Sequence, residues 1–302
     1  MQGKSFRLPS FAKINLYLRV LGRRADGFHE ICTIFQTVSL CDYLTFSESD
    51  RILLTCDNGK IPTDDENLIV KAAKLLREIY AVKNGAAIHL EKHIPAPGGL
   101  GGGSSNAAVT LFGLMKLWEI EVDVKDLYGM GKKLGSDVPF FFSGGTALGT
   151  GRGTEIFPLA DIREKYLLIV TPNVDVSTKN AFARLYAPDL TNNGSKSILQ
   201  ICRDDVNSLY SRQSKLENDF ERVIFEIEPE IRRVKEKLFL CGAKSALLSG
   251  SGASVFGIFE TDEQRQNTLK ILSDEKSWRI FPAETVSRLA YQNFLELEKD
   301  FA

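Results

Sequence analysis

A chain of 302 residues is long enough for two domains, and with 43% hydrophobic and 25% charged residues it has the composition of a globular protein able to bury a core. A formal net charge of -1 supplies no bulk attraction to nucleic acid or to an anionic membrane, so neither is an expected partner. The five cysteines include no C-x-x-C pair, which argues against a zinc site or disulfide framework and fits a reducing compartment. No apolar run approaches the ~20 residues that span a bilayer, and the first residues carry no secretory pattern, so a cytoplasmic location is expected.

Taken in chain order, residues 5–12, 13–21, 31–40 and 43–49 read as strands, rich in β-branched and aromatic residues and punctuated by glycines between 22 and 27. Residues 67–80 show helical apolar spacing behind Asp64, Asp65, Glu66 and Asn67 as entry signals, and 86–94 read as a strand again. A glycine-rich loop follows, then a mostly apolar, buried helix over 104–120 and a shorter one over 124–134. Residues 143–159 have the look of a glycine-punctuated hairpin, and the polar stretch 160–165 is the expected boundary between domains 1–160 and 161–302. Beyond it, 166–172 is a strand, 177–186, 196–204 and 228–240 are helices, and 244–260 is strand–loop–strand, with a further helix and edge strands closing the chain. Asn193-Gly194-Ser195 matches a glycosylation sequon and reads here as a polar turn. Strands and helices intermix without regular βαβ alternation, so the expected class is α+β with antiparallel-rich sheets.

The strongest local signal is Pro95-Ala96-Pro97-Gly98-Gly99-Leu100-Gly101-Gly102-Gly103-Ser104-Ser105. Glycines let a backbone reach φ > 0 and bring its N–H groups close to a ligand. Ser104 and Ser105 stand where the following helix is expected to begin, and a helix N-terminus suits phosphate. Their hydroxyls would add hydrogen bonds or reach a magnesium ion. Neither G-x-x-x-x-G-K-[ST] nor G-x-G-x-x-G occurs in the loop, so it is neither a Walker loop nor a dinucleotide fingerprint. The bland alternative is a flexible glycine turn. A second glycine-rich run, 248–254, is by itself a tight turn and gains meaning only if paired with the first.

These segments together resemble the GHMP kinase superfamily, and within it the branch that phosphorylates a cytidine-diphosphate methylerythritol in non-mevalonate isoprenoid-precursor synthesis. The resemblance rests on PSFAKINLYLRVLGRRADGFHEICTIFQTV at 9–38, IPAPGGLGGGSSNAA at 94–108, LGSDVPFFFSGGTALGTGRGTEI at 134–156, Asn218-Asp219-Phe220-Glu221 and SGSGASVFG at 249–257. Two positions depart from the family pattern: Pro97 stands where many members carry a glycine or small residue, and Phe28 replaces a common tyrosine. The resemblance implies a β-rich N-terminal domain and a ferredoxin-like C-terminal domain, with the active site in the cleft between them. It implies ATP with Mg²⁺ as cofactors, and a small-molecule acceptor as the partner; monomer and homodimer are both compatible with the sequence.

Taken singly, Lys13 would be a strand-edge charge and Asp137 a turn residue or helix cap. The resemblance puts both on the catalytic pair, with Asp137 the expected base toward a tertiary hydroxyl and Lys13 its electrostatic partner. It likewise assigns Phe28 and His29 to the cytosine, Phe182 (or its competitor Tyr186) to the opposite face of that base, and Asn15 to the acceptor or diphosphate. Asn67 is either an adenine contact or a helix cap. ATP is expected on Pro97, Gly98, Gly99, Leu100, Gly101, Gly102, Gly103, Ser104 and Ser105. Metal ligands are unknown, with Ser105 a candidate; His89 and His93 are read as structural. Two other functions compete. Another GHMP kinase, for homoserine or mevalonate, has no use for an uncharged base-reading pocket, and an inactive nucleotide- or sugar-binding relative has no chemical need for both Lys13 and Asp137.

Overall fold

The computed structural model describes residues 4–185, 187, 200, 202–204, 206–207 and 216–296. A long antiparallel hairpin dominates it: β1 (Ser5–Arg23) pairs with β2 (His29–Ser49), Ser5 opposite Ser47 and Arg23 opposite His29. The two strands expected over 5–12 and 13–21 are one strand. A register shift between Phe11 and Ala12 bends it there without breaking the pairing. From Ser10 to Leu18 every residue of β1 is buried, because this stretch is covered on both faces. Leu8 and Phe11 belong to the core under the first layer of helices, while Ala12, Ile14 and Leu16 belong to a core shared with the second sheet. A strand covered on both sides reads as a continuous apolar run, which is how this segment appears in the sequence.

Four further strands and a short parallel pairing complete the first sheet. β3 (Ile52–Cys56), which the sequence reading lacks, runs parallel to β4 (Gly85–Glu91), and β4 pairs with β2. The expected hairpin forms as β5 (Thr146–Thr150) and β6 (Glu155–Pro158), with β5 also paired to β2. Helices α1 (Leu68–Ile79), α2 (Gly102–Trp118), α3 (Val124–Leu134) and the single turn α4 (Phe140–Ser143) pack on this layer.

After the polar 160–165 stretch, β7 (Leu167–Pro172) opens a second, antiparallel sheet. Its members are β9 (Ser245–Leu248), β10 (Val255–Ile258) and β11 (Trp278–Ala283), in the order β11-β7-β10-β9. Between them β8 (Glu217–Asn218) crosses to pair in parallel with β1 at Tyr17 and Leu18. α5 (Thr178–Arg184), α6 (Glu221–Ile227), α7 (Pro229–Leu240) and α8 (Asp262–Leu272) flank the second sheet, α7 entering on a proline at its first turn. The helix expected over 196–204 lies partly outside the described residues, and the sequon at Asn193 and the alternative aromatic Tyr186 lie wholly outside them. Among the described residues no helix is long and apolar enough to cross a membrane.

The described chain does not close on an edge strand. It ends in α9 (Arg288–Leu295), and this helix returns to the first core rather than staying with the second sheet. Fully buried Tyr291 anchors it, its hydroxyl donating to the carbonyl of Phe141 at 2.6 Å. Burial pushes this phenol well above the usual tyrosine range, so it stays a donor. Tyr291→Phe leaves a buried carbonyl without that partner and should cost about 1–2 kcal/mol, read as a lower denaturant midpoint at unchanged m-value. An unshifted midpoint would mean that α9 docks by packing alone.

Candidate active site

The two glycine loops meet where the two sheets approach. Leu100 accepts the Lys13 N–H at 2.9 Å, which ties the first loop to β1. The Ser254 N–H donates to Gly98 O at 3.1 Å and Ser249 Oγ to Gly99 O at 3.0 Å, which ties it to the second loop. Gly99 is at φ +70°, and a Cβ there would lie 2.2 Å from the Ser249 carbonyl, so only glycine permits this approach. Asn218 braces the second loop from behind, donating to the carbonyls of Leu248 and Gly250 at 2.8 Å each. Its neighbour Asp219 accepts the Val20 N–H of β1. The second run is therefore half of a built cleft, not an isolated turn.

That cleft, of about 1000 Å³, is lined at one end by Lys13, Asn15, Asp137 and the glycine loops. Lys13 is 3% exposed on β1. Its ammonium donates to Asn15 Oδ1 at 2.7 Å, lies 3.4 Å from Asp137 Oδ2, and sits 5.6 Å from the centre of the Phe35 ring. Asn15 is held in turn, its amide donating to Thr33 Oγ1 and Thr33 Oγ1 donating to Tyr17 O, both at 2.7 Å. Asp137 lies between α3 and α4, and its side chain is 32% exposed, so one carboxylate faces both the lysine and the open cleft.

Phe28, His29 and Phe182 line another part of the same cleft, beside the end of the β1–β2 hairpin. They are not arranged as an open pair of rings. His29 stacks on Phe182 at 4.8 Å and 20°, and Phe182 meets Phe220 edge-on. Phe28, 49% exposed, has the guanidinium of Arg152 over its ring at 3.8 Å. The face of Phe182 expected to meet a base is covered by the histidine expected to hydrogen-bond it.

Other expected residues fall outside the cleft lining. Asn67 is the N-cap of α1, accepting from the Ile69 N–H and donating to Pro62 O, so the helix-cap reading describes it. α2 begins at Gly102, two residues before the expected start. Ser105 is therefore a fourth-position helix residue, fully buried with its hydroxyl accepting from Ser10 and outside the cleft lining where a metal would sit with the phosphates. Leu100 is core, Ser104 lies near Gly135, and of the loop only Pro97, Gly98, Gly99 and Gly101 line the cleft. The start of α2 still suits phosphate: it has no side-chain cap and no acidic residue in its first turn, whereas α1, α3, α5, α8 and α9 are all capped by side chains. His89 bonds Thr55 and His93 bonds Cys41 O, both away from the cleft. The sequence reading misses Arg23, Arg152, Thr178, Lys179, Arg184 and Ser251, which line it. With Lys13, among the described residues five cations face one carboxylate, a field suited to anionic ligands.

Family models for the N-terminal and C-terminal domains of GHMP kinases match residues 67–145 and 200–276. The 4-diphosphocytidyl-2-C-methyl-D-erythritol kinase of Pelodictyon phaeoclathratiforme is 38% identical over 91% of this chain and 96% of its own. The chain belongs to the 4-diphosphocytidyl-2-C-methyl-D-erythritol kinase family of GHMP kinases. A crystal structure of a 4-(cytidine 5'-diphospho)-2C-methyl-D-erythritol kinase superposes with a TM-score of 0.76 at 31% identity, covering 93% of this chain and 99% of that one. The homoserine kinase of Cytophaga hutchinsonii, at 19% identity and TM-score 0.70 over 95% of this chain and 96% of its own, shares the fold. The family's two-domain α+β architecture is thus the one observed here.

Burial, and next the nearby Arg23, hold His29 below the usual histidine range. Between that lowered value and about 6.5 the folded chain binds fewer protons at this ring than the unfolded chain does. The stabilisation is present above about pH 6.5 and is lost as the pH falls through the lowered value. The stability gap between the wild type and His29→Asn should therefore shrink on acidification from pH 7 to about 5. A gap that stays constant would show that the ring titrates normally.

Proposed function

We propose that the cleft transfers the γ-phosphoryl group of ATP to the 2-hydroxyl of 4-diphosphocytidyl-2-C-methyl-D-erythritol, giving the 2-phosphate and ADP. The observation that carries the chemistry is the Lys13–Asp137 contact at 3.4 Å, set beside the glycine loops in a cleft that Phe28, His29 and Phe182 also line. Family membership supports ATP as donor and the cytidine compound as acceptor.

In this reading the phosphates of ATP lie against the glycine loop and the uncapped start of α2, where backbone N–H groups and the helix dipole favour negative charge. The acceptor hydroxyl donates to Asp137. As its oxygen forms the bond to the γ-phosphorus, its proton passes to the Asp137 carboxylate, and the bond to the β–γ bridging oxygen breaks to release ADP. Lys13, fixed by Asn15, neutralises charge beside the reacting oxygens. Phosphoryl transfer has a loose transition state, so holding these groups in place matters as much as base strength. A magnesium ion would neutralise phosphate charge. Among the described residues no group of three His, Cys, Asp or Glu could hold one, and Asp137 is the one carboxylate lining the cleft. The ion fits best as a passenger of the ATP phosphates, with Asp137 its one acidic neighbour.

Asp137→Asn keeps the shape and removes the proton acceptor. Its kcat should fall by about 10²–10⁴-fold, with ATP affinity, measured by titration, within about twofold of the wild type. Turnover close to the wild-type rate would remove Asp137 from the proton's path.

A further inference from the structure

The β5–β6 turn carries Arg152 between two glycines, Gly151 and Gly153, both at positive φ. Its place is fixed from three sides. The Gly151 carbonyl accepts the Ile31 N–H at 2.8 Å, the Gly151 N–H donates to Glu30 Oε1 at 2.8 Å, and the Gly153 N–H closes the turn onto Thr150 O at 3.0 Å. Glu30, 8% exposed, is also paired with Arg24 through its other oxygen. Glu30 is thus already paired with Arg24, while Arg152 lies on Phe28, with the Asp26 carboxylate near enough to feel its charge, and lines the cleft. Its ε nitrogen is buried without a hydrogen-bond partner among the described residues. A guanidinium flat on an aromatic ring keeps its in-plane N–H groups pointing outward, the geometry that grips phosphate oxygens in a fork. Phe28 has no hydroxyl of its own, and Arg152 is the charged group in contact with its ring.

We infer that Arg152 binds the diphosphate of the acceptor and is a specificity-determining residue of this site. The inference rests on the cytidine-diphosphate reading above and adds the residue that reads its charged linker. An acceptor with its reacting hydroxyl at Asp137 and its base at the Phe28, His29 and Phe182 rings carries its two phosphates between these ends. Lys13 is already engaged by Asn15 and Asp137. Arg152 lies on Phe28 and lines the same cleft as Asp137.

The test compares cytidine, CMP and CDP as ligands by calorimetric titration, with saturating ADP present to fill the nucleotide loop. In the wild type CDP binds more tightly than cytidine. Arg152→Ala should weaken CDP about tenfold or more, the loss of a charge-assisted hydrogen bond to phosphate. It should leave cytidine within about threefold and ADP affinity unchanged, and Arg152→Lys should restore part of the CDP affinity. Equal losses for cytidine and CDP would show that Arg152 only backs the ring and would overturn the inference, as would no loss for either. A wild type that binds ADP but none of the three cytidine ligands would overturn the substrate reading itself, and the role of Arg152 with it.

Discussion

An ammonium group on a strand covered on both faces loses its water and costs several kcal/mol unless its partners are already in place. Lys13 is such a group, and much of the cleft consists of its partners. Asn15 two residues along the strand, Asp137 from the loop after α3 and the face of Phe35 surround its head, while Leu100 of the glycine loop holds its backbone N–H. Gly101 lies against its stem so closely that a Cβ would sit 2.9 Å from Lys13 Cγ. Seating this one charge brings together the first glycine loop, the carboxylate and the strand.

The second constraint is the contact between the glycine loops. They come from different sheets, and their backbones meet through the Ser254–Gly98 and Ser249–Gly99 hydrogen bonds. Asn218 and Asp219 stitch the second loop to β1, and β8 adds a short parallel pairing to the same strand. β1 thus belongs to both halves of the molecule, which sets the cleft walls relative to each other. Such bracing suits a reaction in which positioning carries much of the rate.

Much of this was legible in the sequence where the signal is local. Helices α1, α3 and α7 follow from apolar spacing and end signals, the β5–β6 hairpin from its glycines, and the loop before α2 from a glycine cluster ahead of an apolar helix. Lys13 and Asp137, by contrast, have no local signature that separates them from a strand lysine and a turn aspartate. Only the family pattern singled them out, and only the fold puts them 3.4 Å apart. Ser105 looked like a helix-start hydroxyl, but the helix begins two glycines earlier and carries it into the core opposite Ser10. Asn67 caps α1, and its amide also donates to Pro62 O. The pairing of Phe28 with Arg152, and of His29 with Phe182, joins residues far apart in the chain, and no periodicity reports such contacts. The return of α9 to the first core hangs on Tyr291, an aromatic in a short helix like any other until its partner Phe141 is seen.

The most direct test of the central claim, that one cleft joins an ATP loop and a catalytic pair to a base-reading wall, is ADP release from Mg·ATP with a small set of acceptors. The set is 4-diphosphocytidyl-2-C-methyl-D-erythritol, mevalonate, homoserine and galactose. Turnover on the cytidine compound alone is the predicted result. Turnover on another member with none on the cytidine compound, or silence on all four while ATP still binds, would contradict it.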